Sequence, residues 1–139
     1  VSSLNGKTAL ITGSTDGVGR VVAERLATMG ARVLVHGRDR ARGEHVVAAI
    51  KDAGGNAEIL PADLAALAEV RRLAEAVRGT TDRLDILINN AGIGSAGAAR
   101  QTSADGYELR FAVNYLAGFL LTHLLLPLIK QSVPARIVN

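Results

Sequence analysis

Residues 8–19 read TALITGSTDGVG, and this stretch decides how the chain folds. Thr8 to Thr12 is a short, mostly apolar run with strand character. It passes directly into glycines spaced G-x-x-x-G-x-G, at Gly13, Gly17 and Gly19. Beyond them Val18, Val22, Leu26 and Met29 recur at helical spacing, and Gly30 ends that helix. A chain that leaves a strand, turns sharply and starts a helix presents free helix N–H groups at the turn. Glycine tolerates positive φ and lets another group approach the backbone, and Gly19 lets the helix lie close against its strand.

The same alternation continues outward. Arg32 to His36 (RVLVH) reads as a second strand, and residues 39–53 as a second helix with Val46, Val47 and Ile50 inward. Asp39 is its expected N-cap, and Gly54-Gly55 breaks it. Ala57 to Leu60 is a third strand stopped by Pro61. Leu67, Val70, Ala74 and Val77 mark a third helix, and Leu84 to Ile88 (LDILI) a fourth strand. A loop rich in Gly, Ala and Ser runs from Ala91 to Ala99, and a long helical segment covers about residues 103–131. Ala135 to Asn139 (ARIVN) begins a fifth strand. Strand and helix in strict alternation predict parallel strands joined by right-handed crossovers. Short, non-alternating Val/Ile/Leu strands predict a sheet covered on both faces. The expected fold is α/β: one domain over residues 1–139, a doubly wound, Rossmann-like three-layer sheet whose C-terminal part lies beyond this chain. The leucines at 120, 121, 124, 125, 126 and 128 cover more than one helical stripe. They call for further chain, another subunit, or both, as partners.

Composition narrows the function classes. The net charge is +3 and there is no cysteine, which removes disulfides and thiolate metal sites. The dense basic cluster, Arg38, Arg40 and Arg42, has no aromatic neighbour to stack on bases, so nucleic-acid binding is not expected. His36, His45 and His123 lie on separate elements without metal-ligand spacing. The apolar run Phe119 to Ile129 is 11 residues long. A membrane-spanning helix needs about 20, so no transmembrane segment is expected, nor is a secretory signal visible. A cytoplasmic protein is the resulting expectation.

The glycine turn suits an anion, and a diphosphate is the expected one: Gly13, Ser14, Thr15, Asp16, Gly17, Val18 and Gly19 would surround it. A plain strand-to-helix turn is the alternative. The end of the second strand bears on which dinucleotide binds. An acid there would bond a ribose 2′-hydroxyl, whereas Arg suits the 2′-phosphate of NADP. Here it reads His36-Gly37-Arg38, with Arg42 one helical turn on to assist. This favours NADP(H), with NAD(H) as the second choice, although a solvated basic helix start would look the same.

Taken together these residues resemble the short-chain dehydrogenases/reductases. The G-x-x-x-G-x-G turn preceded by Thr, Asp63-Leu64 after the third strand, Asn89-Asn90-Ala91-Gly92 after the fourth and Asn114 in the long helix follow that family's order and spacing. The stretch from Asp105 to Thr122 looks closest to the retinol-dehydrogenase-like branch, which generally uses NADP(H). The resemblance implies that Asp63 accepts from the adenine amino group with the Leu64 backbone nearby. Asn90, Ala91 and Gly92 would lie under the adenosine ribose, and Asn114 would belong to the catalytic set, holding a water. Asp63 could instead cap the third helix, and Asn89 could simply brace strand ends. The resemblance further implies hydride transfer between the nicotinamide and a carbonyl or alcohol, and a homo-oligomer built through the helix at 103–131. A small lipophilic substrate is expected by analogy. The family's Ser and Tyr-x-x-x-Lys are expected beyond residue 139, because Tyr107 and Tyr115 are followed four on by Phe111 and Phe119. This stretch alone is therefore expected to be inactive; a half-length, non-catalytic dinucleotide-binding module is the other reading.

Overall fold

The computed structural model describes residues 3–94 and 99–139, so residues 95–98 of the expected Ala91–Ala99 loop lie outside the described residues. Five strands form one parallel sheet: β1 (Thr8–Ile11), β2 (Arg32–Gly37), β3 (Asn56–Pro61), β4 (Ile86–Ile88) and β5 (Arg136–Val138). Their order is β3-β2-β1-β4-β5. After β3 the chain returns across the sheet to pair β4 with β1, in the register Ala9↔Ile86 to Ile11↔Ile88. The crossovers diverge at that switch point, and the cleft beyond the strands' carboxyl ends is where such sheets take ligands. This is the doubly wound parallel α/β sheet that the alternation predicts.

Successive residues in each strand point to opposite faces. Leu10, Leu34, Leu60 and Leu87 meet Val70, Leu73 and Val77 of helix α3 (Leu67–Thr80) and Leu121 and Leu125 of helix α4 (Leu109–Gln131). Ala9, Ile11, Val33 and Val35 meet Ala23 and Ala27 of helix α1 (Gly17–Thr28) and Val46 and Ile50 of helix α2 (Arg40–Asp52).

Two expectations need correction. The buried residues of α1 are Gly19, Ala23 and Ala27; of the Val18 stripe, Val22 and Leu26 pack partly buried against the core while Val18 is 72% exposed. The helix lies so close to β1 that only the smallest side chains fit between them. The long helix also begins later than residue 103. Gly106 turns at φ 84 and Ser103 exchanges backbone bonds with Tyr107 and Gly106, making a tight turn closed by a Thr102–Glu108 bridge. Glu108 then caps the helix by accepting from the Phe111 N–H at 2.7 Å. Helix α4 therefore runs from Leu109: one α turn to Phe111, a π segment Ala112–Leu116, and a regular α-helix Ala117–Gln131. It has 23 residues, with an 18-residue stretch of mean hydropathy 1.7, and is long and apolar enough to cross a membrane by length and composition alone. The shorter run read from the sequence missed this. In this fold one face of α4 packs on the sheet.

Candidate functional site

A cleft of about 460 Å³ opens at the carboxyl ends of β1, β2 and β4. Its floor is the glycine turn. Gly13 and Gly17 have φ of 64 and 53, a region that L side chains avoid. A Cβ on Gly13 would stand 2.8 Å from the Ala91 Cα, and one on Gly19 would stand 2.1 Å from the Gly13 carbonyl oxygen. The turn is thus packed against both the β4 loop and its own helix. The N–H groups of Val18 and Gly19, at the start of α1, have no protein partner among the described residues, and both residues line the cleft.

Polar side chains beneath the turn hold it in shape. Thr12 Oγ1 accepts from the Asn90 and Ala91 N–H groups, both at 3.0 Å. Asn90 Nδ2 donates to the carbonyls of Thr12 at 3.1 Å and Gly13 at 3.0 Å. His36 is buried, with 2% of its surface exposed. Its Nε2 lies 3.0 Å from the Ala62 carbonyl, which can only accept. That assigns the proton to Nε2 and leaves Nδ1 to accept the Gly13 N–H at 3.0 Å. Burial lowers the His36 pKa, against the opposing effects of the Ala62 carbonyl and Asp63, and keeps the ring neutral.

The structure moves Ser14 out of the cleft. It is fully buried; its N–H donates to the His36 carbonyl and its hydroxyl donates to Ile11 O at 2.7 Å while accepting the His36 N–H. It fastens the turn to β2 and has no group left for a ligand. Thr15, Asp16, Gly17, Val18 and Gly19 do line the cleft. Asp16 caps α1 by accepting from the Gly17 N–H at 2.8 Å. That bond first, and then Arg42, lower its pKa.

At the far end, Arg38 lines the cleft and has no ion pair among the described residues. Asp39 accepts from the Arg42 N–H at 3.2 Å and caps α2 as expected. Arg42 Nη2 is bonded to Asp16 Oδ2 at 3.0 Å. Asp63 borders the cleft and accepts from the Ala65 N–H at 3.0 Å in a local turn. It does not cap α3, whose N-terminal Leu67 N–H donates instead to Asp105 at 2.9 Å. Leu64 touches the cleft but is mostly in the core.

Asn114 grips the β4 loop rather than lining the cleft. Its Oδ1 accepts the Ile93 N–H at 2.7 Å and its Nδ2 donates to the Ile93 carbonyl at 3.0 Å. The π segment around it carries it to that position. The Gly92 hydrogen faces this amide, where a Cβ would come within 3.4 Å of Asn114 Oδ1. Sequence reasoning did not assign Thr12 and His36 to the site. The usable signal was polarity: each is a buried polar residue near the end of an otherwise apolar strand.

The comparisons with known proteins agree with this geometry. Residues 7–139 match the family model for short chain dehydrogenase. The chain is 45% identical over 140 residues to dehydrogenase/reductase SDR family member 13 of Bos taurus, covering 99% of this chain and 36% of that protein. It is 42% identical over 147 residues to retinol dehydrogenase 14 of Mus musculus, covering 97% of this chain and 43% of that one. The chain thus spans less than half the length of these relatives. Among solved structures, the Pseudomonas aeruginosa RhlG/NADP active-site complex superposes with a TM-score of 0.86 at 36% identity, covering 99% of this chain and 55% of that one. The chain belongs to the short-chain dehydrogenase family, in its retinol-dehydrogenase-like branch.

Proposed function

We propose that this chain is the dinucleotide-binding part of an NADP(H)-dependent oxidoreductase acting on a small lipophilic carbonyl or alcohol. The observation that carries the reading is one continuous cleft. It runs from the Val18 and Gly19 N–H groups to Arg38, which lies just beyond β2 and has no ion pair among the described residues. A diphosphate fits the first end, where the start of α1 leaves the Val18 and Gly19 N–H groups without a protein partner among the described residues. A 2′-phosphate fits the second, since guanidinium binds phosphate bidentately. In this reading Thr15, Asp16 and Gly17 border the diphosphate, Asp63 and Leu64 the adenine, and Asn90, Ala91 and Gly92 the ribose. Asn114 fixes the Gly92–Ile93 backbone. When bound, the nicotinamide supplies or takes up the hydride. The reading assigns proton transfer to a Tyr and Lys pair outside these 139 residues, where neither Tyr107 nor Tyr115 has Lys four positions on.

The NADP complex of a solved relative supports the cofactor class; Arg38 is the support for NADP(H) over NAD(H). Titration calorimetry of the whole protein tests both. NADPH is expected to bind more tightly than NADH, and Arg38→Ala to weaken NADPH by about tenfold or more relative to NADH. Failure to bind either nucleotide overturns the function. Equal weakening of both overturns the role of Arg38. A spectrophotometric assay of NADPH oxidation with lipophilic aldehydes then separates an enzyme from a non-catalytic module.

A further inference from the structure

We propose that Asp16 tunes the choice between NADPH and NADH by competing with the 2′-phosphate for Arg42. The inference rests on the dinucleotide-binding reading above and goes beyond it. Asp16 stands at the start of α1 and Arg42 in the first turn of α2, so their ion pair bridges two helices across the rim of the cleft. The carboxylate is oriented. One oxygen is held by the Gly17 N–H at 2.8 Å, and the other meets Arg42 Nη2 at 3.0 Å. Arg42 is anchored by its backbone N–H on Asp39, while its side chain reaches out over the opening.

The neighbouring Arg38 has no such partner among the described residues and lies in the same lining. A phosphomonoester beside Arg38 offers Arg42 a second anion, with more charge and more acceptor oxygens than a carboxylate. Turning its guanidinium fork to the phosphate draws Arg42 away from Asp16, whose one side-chain hold on it is the Nη2 bond. NADH lacks that phosphate, so its binding leaves the pair intact. The carboxylate therefore acts against NADPH alone. Arg42 and Asp16 are 58% and 79% exposed, and pairs in contact with water are weak. The competition accordingly grades the preference without reversing it.

The test is a double-mutant cycle on the whole protein, with Kd measured for NADPH and NADH by calorimetry. Asp16→Asn keeps an oxygen for the Gly17 N–H and removes only the charge. It is expected to lower the ratio of the NADPH Kd to the NADH Kd by roughly three- to tenfold. In an Arg42→Gln background the same change should leave the ratio unmoved. A ratio unaltered or raised by Asp16→Asn overturns the inference. So does an improvement equally large without Arg42, which would mean direct repulsion of the phosphate. Wild-type protein binding neither nucleotide would instead overturn the underlying reading of the cleft.

Discussion

Gly19 is the residue with the least room. A methyl group there would meet the Gly13 carbonyl at 2.1 Å and Asn90 Nδ2 at 2.4 Å. Neither neighbour can retreat without opening the turn. Gly19→Ala should therefore destabilise the fold by about 1–3 kcal/mol and weaken NADPH binding, as measured by denaturant unfolding and calorimetry; wild-type values for both would show that the turn is looser than described. His36 makes a different prediction. Its lowered pKa means that the folded protein resists a proton that the unfolded chain accepts. Its contribution is fully present above 6.5, the ordinary value, and declines as pH falls from there toward the depressed folded value. Protonation would also aim an N–H of the ring at the Gly13 N–H. His36→Ala should flatten that part of the stability-against-pH curve, followed by urea midpoints; an unchanged slope would remove His36 as its source. The three turn glycines were legible in the sequence because their spacing follows from local geometry. His36 was not, since its partner Gly13 is 23 positions away and the pairing exists only once β1 and β2 align.

Among the elements, helix starts were the harder features to read. The N-caps of α1 and α2, Asp16 and Asp39, adjoin the helices they serve. Helix α3 has no local side-chain cap and takes Asp105 from 38 residues downstream, which no window of sequence reveals. Asp105→Ala should cost about 1 kcal/mol, with faster amide hydrogen exchange in the first turn of α3. Faster exchange elsewhere but not there would deny the cap. The start of α4 was misread because Asp105-Gly106 was absorbed into a helical pattern, when it is the turn that lets Glu108 cap. At the opposite end of the sheet, Asp85 joins β1 to the residues before β4. It is 2% exposed and accepts from the Thr8 N–H at 2.8 Å and from two nitrogens of Arg83, with the Lys7 ammonium at 3.3 Å. Burial alone would raise its pKa, but Arg83, the Thr8 N–H and Lys7 together outweigh burial and bring it down to about 2. The stabilisation, about 2 kcal/mol, is present above the ordinary value of 3.8 and is lost as pH falls through about 2. Asp85→Asn should be less stable than wild type at neutral pH by that order, and the gap should close in strong acid. A constant gap would contradict the ionic origin.

For the whole molecule, the two hydrophobic clusters sit on opposite faces of the same strands, so neither can open alone. Leu121→Ala, in the fully buried part of α4, should cost about 2–5 kcal/mol. Fluorescence and circular dichroism should still report one unfolding transition. Two separated transitions would mean that the α3–α4 side folds independently. The layered architecture was readable from alternation alone, because parallel strands need crossovers and crossovers need helices. The depth of each contact was not, as with Val18, which shares a helical stripe with the core-packed Val22 and Leu26 yet lies exposed at the cleft. The π turn in α4 has a consequence for the β4 loop. The most deeply buried positions along the helix fall at Ala112, Ala117, Leu121 and Leu125, a first stride of five followed by strides of four. The wider stride is closed by the Ala117 N–H reaching the Ala112 carbonyl. Asn114 sits inside that widened turn, so the loop it clasps is anchored at the one place where the helix departs from regular α geometry.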